Sequence, residues 1–518
     1  MTGPASAVPG PASVPVAART RNAPLTFRGN LGVARHGWIR LTPAYSMRLV
    51  AERVAALPAG SVVLDPFCGT GTTAVCAVER GHVGQVVDVN PFLLWLATAK
   101  TRSYPVDVRV DAVRALACLD SAAGELLTGG PVTGGPVTGG PVTGGPVTGG
   151  PVTGGVVTGG VVAGEHGPSG SGPSGSGTAA PGPGEGLWRP PLFRIERWWS
   201  PPALRALTAI RAALDALEEE VSLPAPVAAV PAPRPEARRA PGRPPGDPAL
   251  DLLTIAFCRT LIGVSNAAFN HQSMSFRTDQ PAAPGGPVAE ADGSAAQDAA
   301  ARAVLARYHD EAMEIIETAA SPVPGRARVL AGDARALAVP PLEPCDLLYT
   351  SPPYVNRMSY VRELRPYMYW LRFLDDAAGA GELDWTAIGG TWGVATSRVG
   401  TWRGEAGAEP PLGADYAETL ERIAAADGRN ATLLANYVRK YFTDMWAHFR
   451  RAHDVVRPGG QATYIIGNST FFGHVVPAQR WYADLLTAAG FSAVTVTTIR
   501  KRNSNAALYE YDVSAVRA

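Results

Sequence analysis

Lysine is almost missing from this chain: Lys100, Lys440 and Lys501 are the only three in 518 residues, and the rest of the 46 basic side chains are arginines. Against 45 acidic residues the formal charge is +1, so the chain has no global electrostatic footprint and any surface for a polyanion has to be local. With heavy use of Ala, Gly and Pro, the arginine bias reads as GC-rich bacterial coding more than as a binding function. Cysteine is sparse too. Cys68, Cys76, Cys118, Cys258 and Cys345 form no Cys-x-x-Cys pair and no His/Cys metal spacing, which argues against a zinc site. No apolar run of about 18 residues occurs, and residues 1–22 are Ala/Pro-rich without an apolar core. Neither a membrane partner nor a secretory signal is expected, and with unpaired cysteines the expected compartment is the cytoplasm.

Long stretches lack the apolar residues that a core needs. A Gly-Gly-Pro-Val-Thr repeat runs from 129 to 153 and drifts into Gly/Ser/Pro sequence up to 186, while 225–248 and 281–296 are Pro/Ala-rich. These read as disordered insertions. About 400 residues remain, enough for a catalytic domain and a modest recognition region.

What is present is concentrated in two places. Thr350-Ser351-Pro352-Pro353-Tyr354 follows the apolar run Asp346-Leu347-Leu348-Tyr349. Two consecutive prolines fix two φ angles and remove two donors, holding the Ser351 and Pro352 carbonyls outward. Those carbonyls and the Ser351 hydroxyl are acceptors for an NH₂ group, and Tyr354 offers a flat face for a heterocycle. An ordinary Pro-Pro turn with a buried tyrosine is the plainer reading of the same residues.

The second place is 61–73, a short apolar strand that breaks at Asp65-Pro66 into Phe67-Cys68-Gly69-Thr70-Gly71-Thr72 and then a helix through Val78. Gly69 and Gly71 allow close backbone approach of a ligand to the incoming helix. No Gly-Lys-Ser/Thr follows, and the full Gly-x-Gly-x-x-Gly spacing is missing, so this is neither a Walker loop nor a complete dinucleotide fingerprint. The next strand, 83–87, ends in Asp88, placed 23 positions after Asp65 to meet ribose hydroxyls, with a helix-cap carboxylate as the alternative. Asn90 suits an N-cap and Pro91 the first helical position.

Together, Asp65 to Thr72 and Thr350 to Tyr354 resemble the amino-methyltransferase branch of the S-adenosylmethionine-dependent methyltransferases, which modify exocyclic amines of cytosine or adenine in DNA. Weaker similarity extends to 328–334, to Val456-Arg457-Pro458-Gly459-Gly460 with the strand after it, and to His36-Gly37-Trp38, Thr42-Pro43 and a helix with Met47, Val50, Val54 and Leu57 at helical spacing. The resemblance covers roughly 30–100 and 325–515. It implies an α/β, Rossmann-like seven-stranded sheet, mostly parallel with a terminal antiparallel hairpin. It also implies S-adenosylmethionine held by Asp65, Pro66, Phe67, Cys68, Gly69, Gly71, Thr72, Asp88, Asn90, Asp333 and Ala334, and catalysis by Ser351, Pro352, Pro353 and Tyr354, with Pro353 only shaping the turn. Serine before the prolines goes with cytosine N4 in that family, whereas adenine enzymes more often carry Asp or Asn. The carbon-5 cytosine enzymes need a Pro-Cys nucleophile in a context that Pro344-Cys345 lacks, so Cys345 and Cys68 read as small core residues.

The expected organisation is a cofactor-binding half at 30–120, a disordered repeat at 121–186, and a helical insertion at 187–320 that could hold target recognition. A catalytic half follows at 325–518, with a candidate DNA-contacting segment at 355–435. Within the insertion, 187–217 reads as a helix after Trp198-Trp199-Ser200-Pro201, and 250–276 as a helix with a polar tail carrying Asn266, Asn270 and His271. Residues 356–373 carry Arg357, Arg362, Arg365 and Arg372 among Tyr360, Tyr367, Tyr369 and Trp370, a pattern that suits either phosphate contacts or a solvated helix face. Residues 383–412 read as an irregular loop, 436–456 as a helix, and 491–499 with 508–513 as a hairpin whose tip, Arg500-Lys501-Arg502, faces a DNA backbone. The expected partner is double-stranded DNA, with cognate restriction or defence-system proteins as further candidates. An RNA amino-methyltransferase and a noncatalytic nucleic-acid-binding protein that keeps the fold stay open as rivals.

Overall fold

A computed structural model describes residues 25–41, 44–129, 186–222, 246–270, 273–276, 293–356, 359–391, 394–502 and 507–518. Helix α1 (Met47–Ala55) leads into β1 (Val62–Asp65), α2 (Thr72–Val78), β2 (Val83–Asp88) and α3 (Pro91–Thr101). A helical block follows: α4 (Val106–Thr128), α5 (Pro201–Ser222) and α6 (Pro248–Gly263), then a hairpin of β3 (Ala267–Asn270) and β4 (Ser273–Phe276), then α7 (Ser294–Thr318). The chain re-enters the sheet with β5 (Arg326–Ala331) and β6 (Cys345–Thr350) before α8 (Tyr360–Trp370), α9 (Ala377–Thr386), α10 (Val394–Thr401), α11 (Ala414–Ala424) and α12 (Ala431–Val455). It closes with β7 (Val456–Gly467), a small hairpin of β8 (Ser469–Phe471) and β9 (His474–Val476), α13 (Ala478–Ala488), and the pair β10 (Phe491–Lys501) and β11 (Tyr509–Arg517).

The main sheet has seven strands in the order β10-β11-β7-β6-β1-β2-β5. β5, β2, β1, β6 and β7 pair in parallel, and β11 runs antiparallel to both β7 and β10. The chain is therefore a mixed α/β protein with a mostly parallel sheet and an antiparallel pair at one edge. Its central strands are apolar because both faces are covered: Val62, Val63 and Leu64 of β1 and Leu347, Leu348 and Tyr349 of β6 are all buried. Gln85 is the polar exception inside β2, ahead of its terminal Asp88. Its amide exchanges two hydrogen bonds of 2.8 Å with the backbone of Glu343, which ties the loop entering β6 to the sheet and satisfies a buried side chain.

Several local expectations hold for stated reasons. Asn90 caps α3 by accepting from the Phe92 N–H, with Pro91 at the first position. The terminal hairpin is present as β10 and β11. Others need correction. The segment 250–276 is α6 followed by the β3–β4 hairpin, because the Asn266 N–H donates to the Trp198 carbonyl at 2.7 Å and turns the chain out of the helix. The supposed irregular loop at 383–412 contains the end of α9 and all of α10. Helix α4 runs to Thr128, so the boundary placed at residue 120 falls inside it. The Pro458-Gly459-Gly460 turn is a bulge in β7: Cys345 pairs with Val456 and Leu347 with Gln461, and Gly459 takes a φ of 78° to absorb the extra residues.

Helices α4, α5, α6 and α7 share one apolar cluster with α3 and α8. α6 is buried along nearly its whole length, as a helix with neighbours on every side must be. The buried Asp251 of α6 accepts from the Trp95 indole of α3 at 2.8 Å and pairs with Arg102, so the helical block is joined to the second crossover of the sheet by a satisfied carboxylate.

Candidate functional site

From β1 the chain proceeds outward through β2 to β5, then returns to the other side of β1 with β6 and β7. Ligands of open α/β sheets sit at the carboxyl ends of the strands where the order reverses in this way. Both sequence motifs leave the sheet at this point. Val63 pairs with Leu347 and Leu64 with Leu348, so Asp65 and Thr350 emerge side by side. The Asp65 carboxylate is fully buried and accepts from the Thr350 hydroxyl at 2.6 Å, the Phe67 N–H at 3.1 Å and the Tyr45 hydroxyl at 3.1 Å. Burial raises its pKa, while each of these donors pulls it back. Tyr45 also bonds Thr73, whose hydroxyl donates to the Tyr349 carbonyl at 3.2 Å, so the segment ahead of α1, the start of α2 and β6 share one polar knot.

The glycine loop is shaped by two positive φ angles, 51° at Gly69 and 74° at Gly71. A Cβ on Gly71 would lie 3.2 Å from the Ala97 Cβ, so the loop also packs tightly on α3. Asp88, at the end of β2, accepts from the Gly69 N–H at 3.3 Å and the Asn90 N–H at 2.8 Å, and burial pushes its carboxyl up to about 7. Beneath the loop, the fully buried Lys100 donates to the Thr70 carbonyl at 2.9 Å, and burial pushes its ammonium down to about 8. Sequence reasoning missed Lys100 and Tyr45; a single lysine in the apolar run of α3 was the available signal for the first.

In the second motif the Ser351 hydroxyl donates to the Ile465 carbonyl at 3.1 Å. Its one proton is thereby committed, and its lone pairs are left as acceptors. The Pro353 carbonyl accepts from the Tyr441 hydroxyl at 2.6 Å, which in turn meets Tyr482 at 2.6 Å. Tyr354 is anchored to the terminal hairpin: its hydroxyl donates to Glu510 at 2.7 Å, and the Arg502 guanidinium lies 5.2 Å from its ring centre.

A cleft of about 990 Å³, its open mouth included, gathers most of these residues. Pro66, Phe67, Gly69, Asp88, Asn90, Asp333, Ala334, Ser351 and Pro353 line it; Asp65, Cys68, Gly71, Thr72, Pro352 and Tyr354 do not. The opposite side, unforeseen from the sequence, comes from Tyr360, Val361 and Leu364 of α8 and from Leu383, Thr386 and Ile388. Asp333 is held by Arg335, with contacts of 3.0 and 2.6 Å, and the hydrogen bonds from Arg335 hold its carboxyl below the ordinary range against the opposing effect of burial. Arg335 also reaches Asp444 at 3.1 Å and the Thr386 carbonyl at 2.8 Å, fastening the end of α9 over the cleft. Behind Ala334, the buried His448 is pushed down to about 4 by burial and is neutral. Its Nδ1–H donates to the Ala334 carbonyl at 2.9 Å, which leaves Nε2 to accept from Tyr464 at 3.0 Å.

The basic candidates separate clearly. Arg500 pairs with Glu510 at 2.6 Å, and Arg502 donates to the Asn468 and Tyr509 carbonyls, so both brace Tyr354. Lys501 is half-buried in β10. Arg362 and Arg365 are half-buried on α8, with Arg365 stacked 5.2 Å from the Trp198 ring centre, and Arg357 lies outside the described residues. Cys68 and Cys345 are buried, and burial pushes the Cys345 thiol up to about 12, far from a thiolate nucleophile. Among the described residues no group of three or more His, Cys, Asp and Glu is placed to hold a metal, and no helix is long and apolar enough to cross a membrane. Compared with models of protein families, with curated proteins and with solved structures, the chain matches none of them.

Proposed function

We propose that this chain is a DNA amino-methyltransferase that moves a methyl group from S-adenosylmethionine to the exocyclic nitrogen of a base turned out of the duplex, cytosine N4 first. The observation that carries the reading is the 2.6 Å bond between Thr350 and Asp65, which joins the amine clamp to the glycine loop at the strand-order reversal. The strand order, with β11 antiparallel between β7 and β10, agrees with the methyltransferase form of a Rossmann-like sheet that the motifs imply. The residues present fit the cofactor. Asp88 supplies a carboxylate for ribose hydroxyls with lone pairs beyond its two backbone donors; Phe67, Val89, Leu93 and Ala334 give apolar walls for a purine; Gly69 and Thr70 offer backbone to the amino-acid end.

When bound, the cofactor supplies an activated methyl group on a sulfonium. The chain's own work is alignment. The lone pairs of Ser351 accept from the NH₂ of the base and orient its nitrogen for in-line attack; the Pro353 carbonyl is committed to Tyr441, and Pro352 does not line the cleft. Transfer would form the nitrogen–methyl bond as the sulfur–methyl bond is lost, and the displaced nitrogen proton would pass to water. No cysteine takes part. Tyr354 does not line the cleft; held by Glu510 and Arg502, it braces the clamp.

The test is incubation of the full chain with isotope-labelled S-adenosylmethionine and unmethylated duplex DNA or RNA, followed by digestion and mass spectrometry of the nucleosides. N4-methylcytosine is the expected product. N6-methyladenine alone would move the target base, and methyl groups in RNA alone, or none despite cofactor binding, would overturn the reading.

Asp88 adds a pH dependence with a definite sign. Burial raises its carboxyl from 3.8 to about 7, so this group's contribution to stability is full below about 4 and is lost as pH rises through 7. Ribose binding runs the other way, because it needs the ionised acceptor. Cofactor affinity should fall about tenfold per pH unit below 7. Asp88→Asn should flatten that slope in calorimetric titrations at pH 6, 7 and 8; an unchanged slope would remove Asp88 from the ribose site.

A further inference from the structure

Arginines that can meet phosphates are those with no carboxylate on them, and they are not at the hairpin tip. Residues 186–200 and 360–372 together hold six arginines and two glutamates, and one of the six, Arg372, is paired with Asp215 at 2.6 Å. Among the described residues, Arg194, Arg197 and Arg362 make no ion pair; Arg194 and Arg197 are exposed and Arg362 is half-buried with its Nε unpartnered. Arg194 holds a φ of 48°, an uncommon backbone for a residue with a side chain. These arginines stand on an aromatic base continuous with the cleft. Val361 and Leu364 of α8 line the cleft, and Arg365, one residue on, stacks over Trp198. Trp198 meets Phe276 of the β3–β4 hairpin edge-on at 5.2 Å, and the Arg197 guanidinium lies 4.7 Å from the Phe276 ring centre.

Resting on the function proposed above, we infer that segment 186–200, Phe276 of β4 and Arg362 of α8 form the docking surface for double-stranded DNA beside the cleft, with Arg365 seated on Trp198 between them. Charge argues for the occupant: a cation-rich, carboxylate-poor face on a protein of net charge +1 is a local footprint for a polyanion. Position argues for the role, since α8 runs from the cleft wall to the patch, so a duplex seated there has its backbone next to the place where a base would enter. This puts target engagement in the insertion between the two motifs, and leaves Arg500 and Arg502 as braces of Tyr354.

The test compares the full chain with the double variant Arg194→Glu/Arg197→Glu in fluorescence anisotropy with a labelled duplex across a salt series. Arg451→Glu serves as control: it lies on α12 just ahead of β7, at the opposite end of the sheet, in an exposed pair with Asp454. The double variant should bind duplex at least about tenfold more weakly, with a salt slope smaller by about two, while the control and the cofactor affinities of all three stay unchanged. Equal losses in control and double variant, or an undiminished slope, would overturn the surface, as would tighter binding to RNA of the same sequence. Binding and methylation are read separately. Surface-dependent duplex binding without methylated product would sink the catalytic reading and keep the surface; methylation by the double variant at the unaltered KM for DNA would do the reverse.

Discussion

Ser351→Ala is expected to lower kcat for methyl transfer by about 10²- to 10³-fold while leaving the affinity for S-adenosylmethionine within about twofold. The exocyclic amine of cytosine is a weak nucleophile because its lone pair is delocalised into the ring. An acceptor that draws the N–H groups into position matters most as the nitrogen pyramidalises, so its removal acts on the transition state. In this site the Ser351 hydroxyl donates its hydrogen bond to the Ile465 carbonyl, which leaves its oxygen an acceptor in the resting protein without any rearrangement. Alanine removes that oxygen and one anchor to β7, with no atom taken from the glycine loop or from Asp88. Steady-state kinetics with duplex substrate, paired with calorimetric titration of the cofactor, checks the split. Parallel losses in kcat and cofactor affinity would place Ser351 in the cofactor pocket.

The split matters because it tests the part of the site that was legible in the sequence against the part that was not. The motifs could be read because each is a local device. Gly69 and Gly71 stand where positive φ is required, Asn90-Pro91 is a helix start, and two prolines fix the clamp. Their meeting was not legible from the residues, since 284 residues separate Asp65 and Thr350 and only the parallel pairing of β1 with β6 makes them neighbours. For the same reason Tyr45, Lys100, Tyr441 and His448 went unnoticed: each acts through a partner remote in the chain. Position rather than composition also decides which arginines are available. Arg500 and Arg502 look like a basic tip in sequence, yet Glu510, nearby on the partner strand, neutralises one, and backbone carbonyls hold the other on Tyr354. Gly467 is part of that seat, because a Cβ there would lie 2.6 Å from the Arg502 guanidinium carbon. The far wall of the cleft was the hardest to foresee. Its helix α9 carries Gly and Thr that weaken a helical reading, and Arg335 and Trp385 fasten that region through contacts no local pattern encodes.

Asp65→Ala should have the broadest effect of any single substitution, because that carboxylate holds the two motifs together. It is fully buried and serves three donors from three parts of the chain: Thr350 at 2.6 Å, Phe67 N–H at 3.1 Å and Tyr45 at 3.1 Å. Alanine leaves those donors without their acceptor in a place water enters poorly, at a cost of about 2–4 kcal/mol. The raised carboxyl pKa shows that burial of the charge already opposes folding, so part of that loss is offset and the figure stays below a sum over three bonds. Function should suffer more than stability, because the loop geometry at Phe67 and Gly69 and the exit of Thr350 are both set from this one side chain. Cofactor binding and turnover should then fall together, in contrast to Ser351→Ala. Asp65→Asn should restore only part of either property, because an amide brings one acceptor oxygen and a competing NH₂ to a cluster of donors. Chemical denaturation together with cofactor titration of both variants decides the matter. A variant that loses stability but binds cofactor as the parent chain does would show that the glycine loop is held by Asp88 and Lys100 alone.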